Sequence, residues 1–133
     1  KELLPPLDEV LREAAADEAR FVLLSFDRDL LIHARRRFPT IELLWNVELC
    51  LRDGRWTPAA DELAQRARQA GINAVGIGFC EGVEASFIQM LHEAGLKVFI
   101  WTVDDPSTAE RLRLEGADYL ASNRPRLMRE RRL

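Results

Sequence analysis

Short apolar runs alternate with amphipathic stretches along the chain. Five runs, most of them nearly continuous in apolar residues, mark the predicted strands: Phe21–Phe26, Ile41–Val47, Ala74–Phe79, Leu96–Val103 and Tyr119–Ser122. Continuous apolar runs of this length are typical of strands covered on both faces, as in parallel sheets. The stretches between them, about 10 to 15 residues long, have the length of crossover helices.

Helix-capping residues mark where the amphipathic stretches begin and end. Asp27 is placed to cap a helix over Arg28–Arg37, and Asp105–Pro106 begins another. We expect Thr57–Pro58 to be the N-cap and first residue of a third helix. Three glycines follow predicted helices just before a strand, where a left-handed residue is favoured: Gly71, Gly95 and Gly116.

A further amphipathic helix is predicted ahead of the first strand, over Leu7–Ala19. Its apolar side is formed by Leu7, Val10, Leu11 and Ala14. The order is thus one helix and then five rounds of strand and helix, and right-handed crossovers of this kind build a parallel sheet. We expect an α/β fold in which residues 1–133 form a single domain.

Composition narrows the classes of partner. The net charge of the 133 residues is −3, whereas nucleic-acid-binding domains are usually basic, so we expect no nucleic-acid partner. No apolar run approaches the roughly 18 residues of a membrane span, and no signal-peptide pattern is visible, so we expect a cytoplasmic location. Cys50 and Cys80 form no CxxC motif and are predicted to be free thiols.

Functional residues of parallel α/β folds lie where strands end at their carboxyl side. Polar or aromatic candidates at these positions are Ser25, Phe26, Asp27, Asn46, Glu48, Phe79, Cys80, Glu81, Trp101, Thr102, Asp104, Asp105, Ser122, Asn123 and Arg124. Four acids from different strand ends, Asp27, Glu48, Glu81 and Asp104, leave a hard-cation site open, although no compact ligand motif supports one. His33 and His92 fall inside predicted helices, and Gly76–Gly82 lacks phosphate-loop spacing and indicates close packing or a bent strand. These residues predict a pocket lining without a complete catalytic set.

Two long segments resemble the glycerophosphodiester phosphodiesterases. "FVLLSFDRDLLIHARRRFPTIELLW", Phe21–Trp45, is similar to that family's strand, Ser-Phe-Asp, helix, Arg, Pro and strand. "EAGLKVFIWTVDDPSTAERLRLEGADYLASNRP", Glu93–Pro125, is similar to its ending, Gly, Trp-Thr-Val-Asn, Gly-Val-Asp and Thr-Asp-x-Pro. Asp104 replaces the family's Asn, Ala117 replaces Val, and Ser122–Asn123 replaces Thr-Asp.

The resemblance implies the carboxyl-terminal half of a TIM (β/α)8 barrel from enzymes that hydrolyse glycerophosphodiesters to glycerol 3-phosphate and an alcohol. These enzymes use a divalent metal such as Mg²⁺ or Ca²⁺. Their His-Arg-Gly, Glu-x-Asp and His-Asp motifs and a further Glu belong to the other half and do not occur here. The resemblance therefore assigns this chain no catalytic residue and no metal ligand, and implies that the chain alone is inactive.

The resemblance implies that this chain forms one wall of a substrate pocket. Trp101 and Phe26 would offer apolar surface to the glycerol or alcohol moiety, with Ser25 and Asn46 as polar contributors. Asp104 would place a negative charge beside the phosphate. Strand alternation supports this direction for Trp101: Phe99, Trp101 and Val103 share one side of their strand, and Val98 and Ile100 share the other.

Three hypotheses remain open at this point. The chain is part of a phosphodiesterase whose amino-terminal half carries the catalytic groups, which would also explain a sequence that starts without Met. Alternatively, it is a non-catalytic half-barrel that self-associates or pairs with another chain, because an open half-barrel exposes sheet edges and an apolar face. The third hypothesis is an unrelated doubly wound binding domain.

Overall fold

The computed structural model describes residues 2–13 and 20–130. Its elements in chain order are α1 (Leu4–Glu13), β1 (Val22–Ser25), α2 (Arg28–Arg37), β2 (Glu42–Val47), β3 (Cys50–Arg52), β4 (Arg55–Thr57), α3 (Ala60–Gln69), β5 (Ala74–Gly78), α4 (Ala85–Glu93), β6 (Lys97–Trp101), α5 (Pro106–Leu114), β7 (Tyr119–Leu120) and α6 (Pro125–Glu130). All five predicted strands are confirmed. The later part of the helix predicted over Leu7–Ala19 lies outside the described residues.

The main sheet has five parallel strands in the order β1-β2-β5-β6-β7. Each strand pairs with the next one of this sheet along the chain, so the order never reverses. Since parallel crossovers are right-handed, a sheet that winds in one direction receives its helices on one face only. This is the winding of a barrel, and it shows that the doubly wound hypothesis is wrong.

The core lies between the sheet and the helices on that one face. Alternate strand residues point into it, including Leu43, Val75 and Ile77, all fully buried. Val98 and Ile100 are also fully buried, as strand alternation predicted. The helices contribute buried apolar side chains in return: Leu31, Leu63, Ile88, Leu91 and Leu112. Burial of each such side chain stabilises the fold by about 1.5–3 kcal/mol.

The opposite face of the sheet, here called the open face, is only partly covered. Val22 and Leu24 of β1 are 52% and 57% exposed, and Tyr119 of β7 is 49% exposed. An ion pair crosses this face, with Lys97 Nζ 3.1 Å from a carboxylate oxygen of Glu42. The exposed apolar residues of the open face are what a half-barrel would show on its inner side.

Predicted helix caps are confirmed at two of three positions. The Asp27 carboxylate accepts hydrogen bonds from the backbone of Asp29 and Leu30, and the Asp105 carboxylate accepts one from Thr108. The expectation for Thr57–Pro58 is wrong. Thr57 instead ends β4 and donates from its hydroxyl to the Cys50 carbonyl, because the preceding residues form a hairpin, and the α3 N-cap is Ala59.

Two further expectations about side-chain placement are wrong. Val10 is 59% exposed, because α1 begins at Leu4 and buries Leu4 and Leu11 instead. Val103 does not share the side of Trp101: strand β6 ends at Trp101, so the alternation stops there. Val103 is 2% exposed and belongs to the same buried cluster as Ile100.

The three glycines expected at helix ends are confirmed by their backbone. Gly71, Gly95 and Gly116 have φ angles of 68°, 80° and 105°, the region that favours glycine. Each one ends a helix so that the chain turns directly into the next strand. None of the described helices is long and apolar enough to cross a membrane.

Candidate functional site

Two aromatic side chains meet where the strands end, at an edge here called the carboxyl edge. Phe26 follows β1 and Trp101 ends β6, and their rings contact edge to face with centroids 5.7 Å apart. In a flat sheet, strands three places apart would be separated by about 14 Å. Contact between these rings therefore reflects a sheet that curves towards its open face, as barrel strands do.

Small residues make room for the Trp101 ring. Gly78 is the β5 partner of Trp101, and a Cβ atom there would lie 3.2 Å from the indole ring. The indole Nε1 is buried and has no hydrogen-bond partner among the described residues. An indole nitrogen can only donate, so this N–H is an unsatisfied donor.

Asn46 lies on the open face beside this aromatic pair. Its side chain covers Gly76 of β5, where a Cβ atom would be 2.2 Å from the Asn46 amide oxygen. Glycine is therefore required for Asn46 to hold its position, which fits the close packing predicted for the glycine-containing segment. In the described part of the chain, the Asn46 amide has no hydrogen-bond partner, so both its donor and its acceptor groups are available.

Ser25 stabilises the turn between β1 and α2. Its hydroxyl oxygen accepts a hydrogen bond from the Asp27 backbone N–H at 3.0 Å. Ser25 is also the register partner of Trp45, which belongs to the helix-covered side of the sheet. The structure thus places Phe26, Trp101 and Asn46 on the open side of the carboxyl edge, and Ser25 on the helix-covered side.

Asp104 connects the segments that follow β6 and β7. One carboxylate oxygen accepts hydrogen bonds from the Asn123 backbone N–H at 2.7 Å and the Ser122 hydroxyl at 3.0 Å. The other oxygen accepts one from the Asn123 side-chain amide at 3.1 Å. The backbone and side-chain hydrogen bonds from Asn123 hold the pKa of Asp104 below its usual range. Asp104 is thus an ionised group with local partners.

The donor set for a divalent metal is missing from the described residues. No three His, Cys, Asp or Glu side chains lie close enough together in this part of the chain to hold a metal ion. Of the four acids considered, Asp27 and Asp104 accept hydrogen bonds from nearby backbone, and Glu48 and Glu81 are exposed. The residues present do not fit the metal that the resemblance implies.

Both histidines lie on helices, as predicted. His33 is in α2, and His92 is in α4 with its Nε2 2.8 Å from an Asp118 carboxylate oxygen. The same Asp118 oxygen accepts the Val98 backbone N–H at 2.7 Å. This Asp118 contact ties β6 to the start of β7, away from the aromatic pair.

A β-hairpin beside the carboxyl edge was not predicted from the sequence. Strands β3 and β4 pair antiparallel across Asp53 and Gly54, both with positive φ. Trp56 of the hairpin packs so closely on Gly82 that a Cβ atom there would be 2.4 Å from the indole. The dipeptide Asp-Gly between "CLR" and "RWT" is a hairpin signal and could have revealed it.

Arg35 was also missed, because its role depends on tertiary contacts. Its guanidinium donates to four backbone carbonyl groups, those of Phe38, Pro39, Ile41 and Gly71, and to the Asn73 side chain. Asn73 in turn accepts the Leu43 backbone N–H at 2.9 Å. These bonds join the end of α2 to the beginnings of β2 and β5, which fixes the spacing of the strands that carry the site.

Several solved structures with similar folds carry the name of phosphodiesterases. A protein from Silicibacter pomeroyi, provisionally named a glycerophosphoryl diester phosphodiesterase, is 27% identical with a TM-score of 0.74, over 91% of this chain and 40% of that one. A second with the same provisional name, from Agrobacterium tumefaciens, is 18% identical with a TM-score of 0.80, over 98% of this chain and 50% of that one. An Oleispira antarctica phosphodiesterase, in complex with the product sn-glycerol-3-phosphate, is 21% identical with a TM-score of 0.67. The match covers 82% of this chain and 40% of that one.

The chain thus spans half or less of the length of these structures. The partial coverage agrees with a five-stranded sheet that winds in one direction, since a TIM barrel has eight strands. The observed fold is the carboxyl-terminal half of such a barrel. No curated protein matches the sequence. The model of the glycerophosphoryl diester phosphodiesterase family matches residues 1–127, and the chain belongs to that family.

Proposed function

We propose that this chain is part of a glycerophosphodiester phosphodiesterase and supplies one wall of its substrate pocket. The reaction is metal-dependent hydrolysis of a glycerophosphodiester to glycerol 3-phosphate and an alcohol. The observation that carries the proposal is the contact of Phe26 and Trp101 at the carboxyl edge of a chain that matches the family over residues 1–127. The glycerol 3-phosphate bound to the Oleispira antarctica relative is consistent with a small-molecule substrate of this class.

The wall combines apolar surface with a few polar groups. Phe26, which is 60% exposed, and Trp101 present ring surface to the carbon atoms of the glycerol or alcohol moiety. The Asn46 amide is a donor for substrate oxygens. Ser25 and Asp104 contribute indirectly, since their oxygens already accept hydrogen bonds from the turns that carry Phe26 and the residues after Trp101.

In this proposal the acid–base histidines and the metal carboxylates come from the other half of the barrel. That half also holds the divalent metal, Mg²⁺ or Ca²⁺, which supplies Lewis-acid stabilisation of the phosphate oxygens. Three further strands complete an eight-stranded barrel and cover the open face. Residues 1–133 act as one unit in this assembly, and the free thiols of Cys50 and Cys80 are consistent with a cytoplasmic location.

The gene that encodes the chain tests where the catalytic groups are. We expect its reading frame to extend upstream of Lys1 and to encode a His-Arg-Gly and a Glu-x-Asp after predicted strands. A start codon immediately before Lys1 would contradict this part of the proposal.

The aromatic wall is tested by Phe26→Ala in the assembled enzyme. The variant removes the ring surface that would contact the apolar part of the diester, so we expect KM for the diester to rise several-fold. Phe21→Ala, which removes a phenyl ring from a partly exposed position before β1, is the control and should leave KM unchanged. An unchanged KM in Phe26→Ala would contradict a binding role for the ring.

A second candidate function is a non-catalytic half-barrel that self-associates or pairs with another chain. The exposure of Val22, Leu24 and Tyr119 on the open face favours it, because exposed apolar surface promotes association. Two copies would supply ten strands, however, which does not match the eight of a TIM barrel. Self-association predicts a dimer or larger species by light scattering, and a compact monomer at all concentrations would contradict it.

A further inference from the structure

The contact between Asp104 and Asn123 is unusual because one side chain holds two adjacent strand ends. Asp104 lies three residues beyond β6, and Asn123 lies three residues beyond β7. The Asp104 carboxylate receives both the backbone N–H and the side-chain amide of Asn123, and also the Ser122 hydroxyl. These three bonds join the segment after Trp101 to the segment that leads into α6.

We propose that positions 104 and 123 form an exchangeable pair in which either position can hold the carboxylate while the other holds the amide, and that Asp104 is a positioning residue for the carboxyl edge. The inference rests on the proposed function, because it assigns Asp104 the task of holding the segment beside Trp101. It also revises the expectation that Asp104 contacts the substrate phosphate.

The chemistry of the two side chains permits the exchange. With Asn at 104, the amide oxygen still accepts the Asn123 backbone N–H and the Ser122 hydroxyl. The amide nitrogen at 104 then donates to a carboxylate at 123, so the side-chain bond is kept with its donor and acceptor reversed. The net charge of the pair is −1 in both arrangements.

The departures from the family pattern have this same reciprocal form. The motif that residues 93–125 resemble has Asn at the position of Asp104 and Asp at the position of Asn123, which is the reverse of the pair whose contact the structure shows. Compared with that motif, Asp104 alone adds a negative charge beside the pocket. Because Asn123 replaces an Asp at the same contact, the pair together adds no charge. A net increase in negative charge that would repel the substrate phosphate is therefore absent from the pair.

The single substitutions Asp104→Asn and Asn123→Asp should destabilise the fold to different extents. Asp104→Asn leaves two amides, which can still form a side-chain hydrogen bond after one of them rotates. Asn123→Asp instead places two carboxylates about 3 Å apart, where like charges strongly disfavour joint ionisation. Among the described residues, the Arg124 guanidinium also acts on Asp104 and lowers its pKa.

The test is thermal unfolding of the full 133-residue chain with Asp104→Asn, Asn123→Asp and both changes together. At pH 7 we expect a small fall in Tm for Asp104→Asn, a fall of several degrees for Asn123→Asp, and recovery close to the wild-type Tm in the double variant. The Tm deficit of Asn123→Asp should shrink as pH is lowered towards 4, because protonation of one carboxyl group restores a donor. Glu9→Gln, at an exposed acid within α1 and outside its first turn, is the control for loss of one charge.

Rescue distinguishes an exchangeable pair from two independent structural residues. A double variant no more stable than Asn123→Asp would overturn the proposal, as would an Asn123→Asp variant with wild-type stability at pH 7. If Asn123→Asp fails to fold, a folded double variant still demonstrates the rescue, and an unfolded one contradicts it. The readout is independent of hydrolysis, so failure of the proposed function would not be mistaken for failure of the pair.

Discussion

At the residue scale, the side chains of the site hold their positions because neighbouring glycines leave room for them, as well as through hydrogen bonds. Gly76 and Gly78 lie on β5 beneath the open-face side chains of Asn46 and Trp101. Sequence alone indicated close packing in this segment, but it could not show which side chains the glycines accommodate. That information depends on the strand register, which pairs Gly76 with Asn46 and Gly78 with Trp101.

Gly76→Ala should therefore destabilise the chain. The added Cβ atom would lie 2.2 Å from the Asn46 amide oxygen and 2.7 Å from a Leu44 methyl carbon. Overpacking of this kind costs about 1–3 kcal/mol, measured as the free energy of unfolding in urea. Gly78→Ala on the same strand is the matched control, with its closest contact at 3.2 Å, and should cost less. Equal costs at the two positions would argue against this account of Asn46.

The ionisation of Asp104 also belongs to the residue scale. Its pKa is lowered in the folded chain by the hydrogen bonds from Asn123, so these bonds stabilise the fold above the ordinary carboxyl pKa. The stabilisation is lost as pH falls through and below about 4, where the unfolded chain binds a proton first. Urea unfolding between pH 7 and pH 3 should show a steeper loss of stability in the wild type than in Asp104→Asn. Parallel pH profiles would contradict this assignment.

At the scale of elements, the sequence predicted what depends on local chemistry. The five apolar runs, the caps at Asp27 and Asp105 and the glycines at helix ends are all read from neighbouring residues, and the structure confirms them. Thr57 was misassigned because its local context also suits a cap. Thr57 instead belongs to the β3–β4 hairpin, which depends on its pairing with Cys50, seven residues earlier.

The cap at Asp27 gives a direct test at this scale. Asp27→Ala removes the acceptor for the Asp29 and Leu30 backbone N–H groups at the start of α2. We expect a loss of about 0.5–2 kcal/mol in the free energy of unfolding. Asp27→Asn keeps an acceptor oxygen and should lose much less. An equal loss in both variants would show that charge, and not capping, supports the turn between Phe26 and α2.

At the scale of the whole molecule, the sheet order explains both the fold class and the exposed open face. Five strands that wind in one direction leave an open face and two edges, formed by β1 and β7 in the described part of the chain. The sequence pattern predicted the parallel strands, and the family resemblance supplied the barrel. Convergence of Phe26 with Trp101 required the curvature of the sheet, which no local pattern encodes.

The central claim is that this chain supplies the wall of a phosphodiesterase pocket without its catalytic groups. The most direct measurement is release of glycerol 3-phosphate from a glycerophosphodiester by the purified, folded 133-residue chain with Mg²⁺ or Ca²⁺. The account predicts no release above the rate of the buffer with metal alone. Metal-dependent release that is abolished by Glu48→Gln or Glu81→Gln would contradict it, because those carboxylates would then act in catalysis.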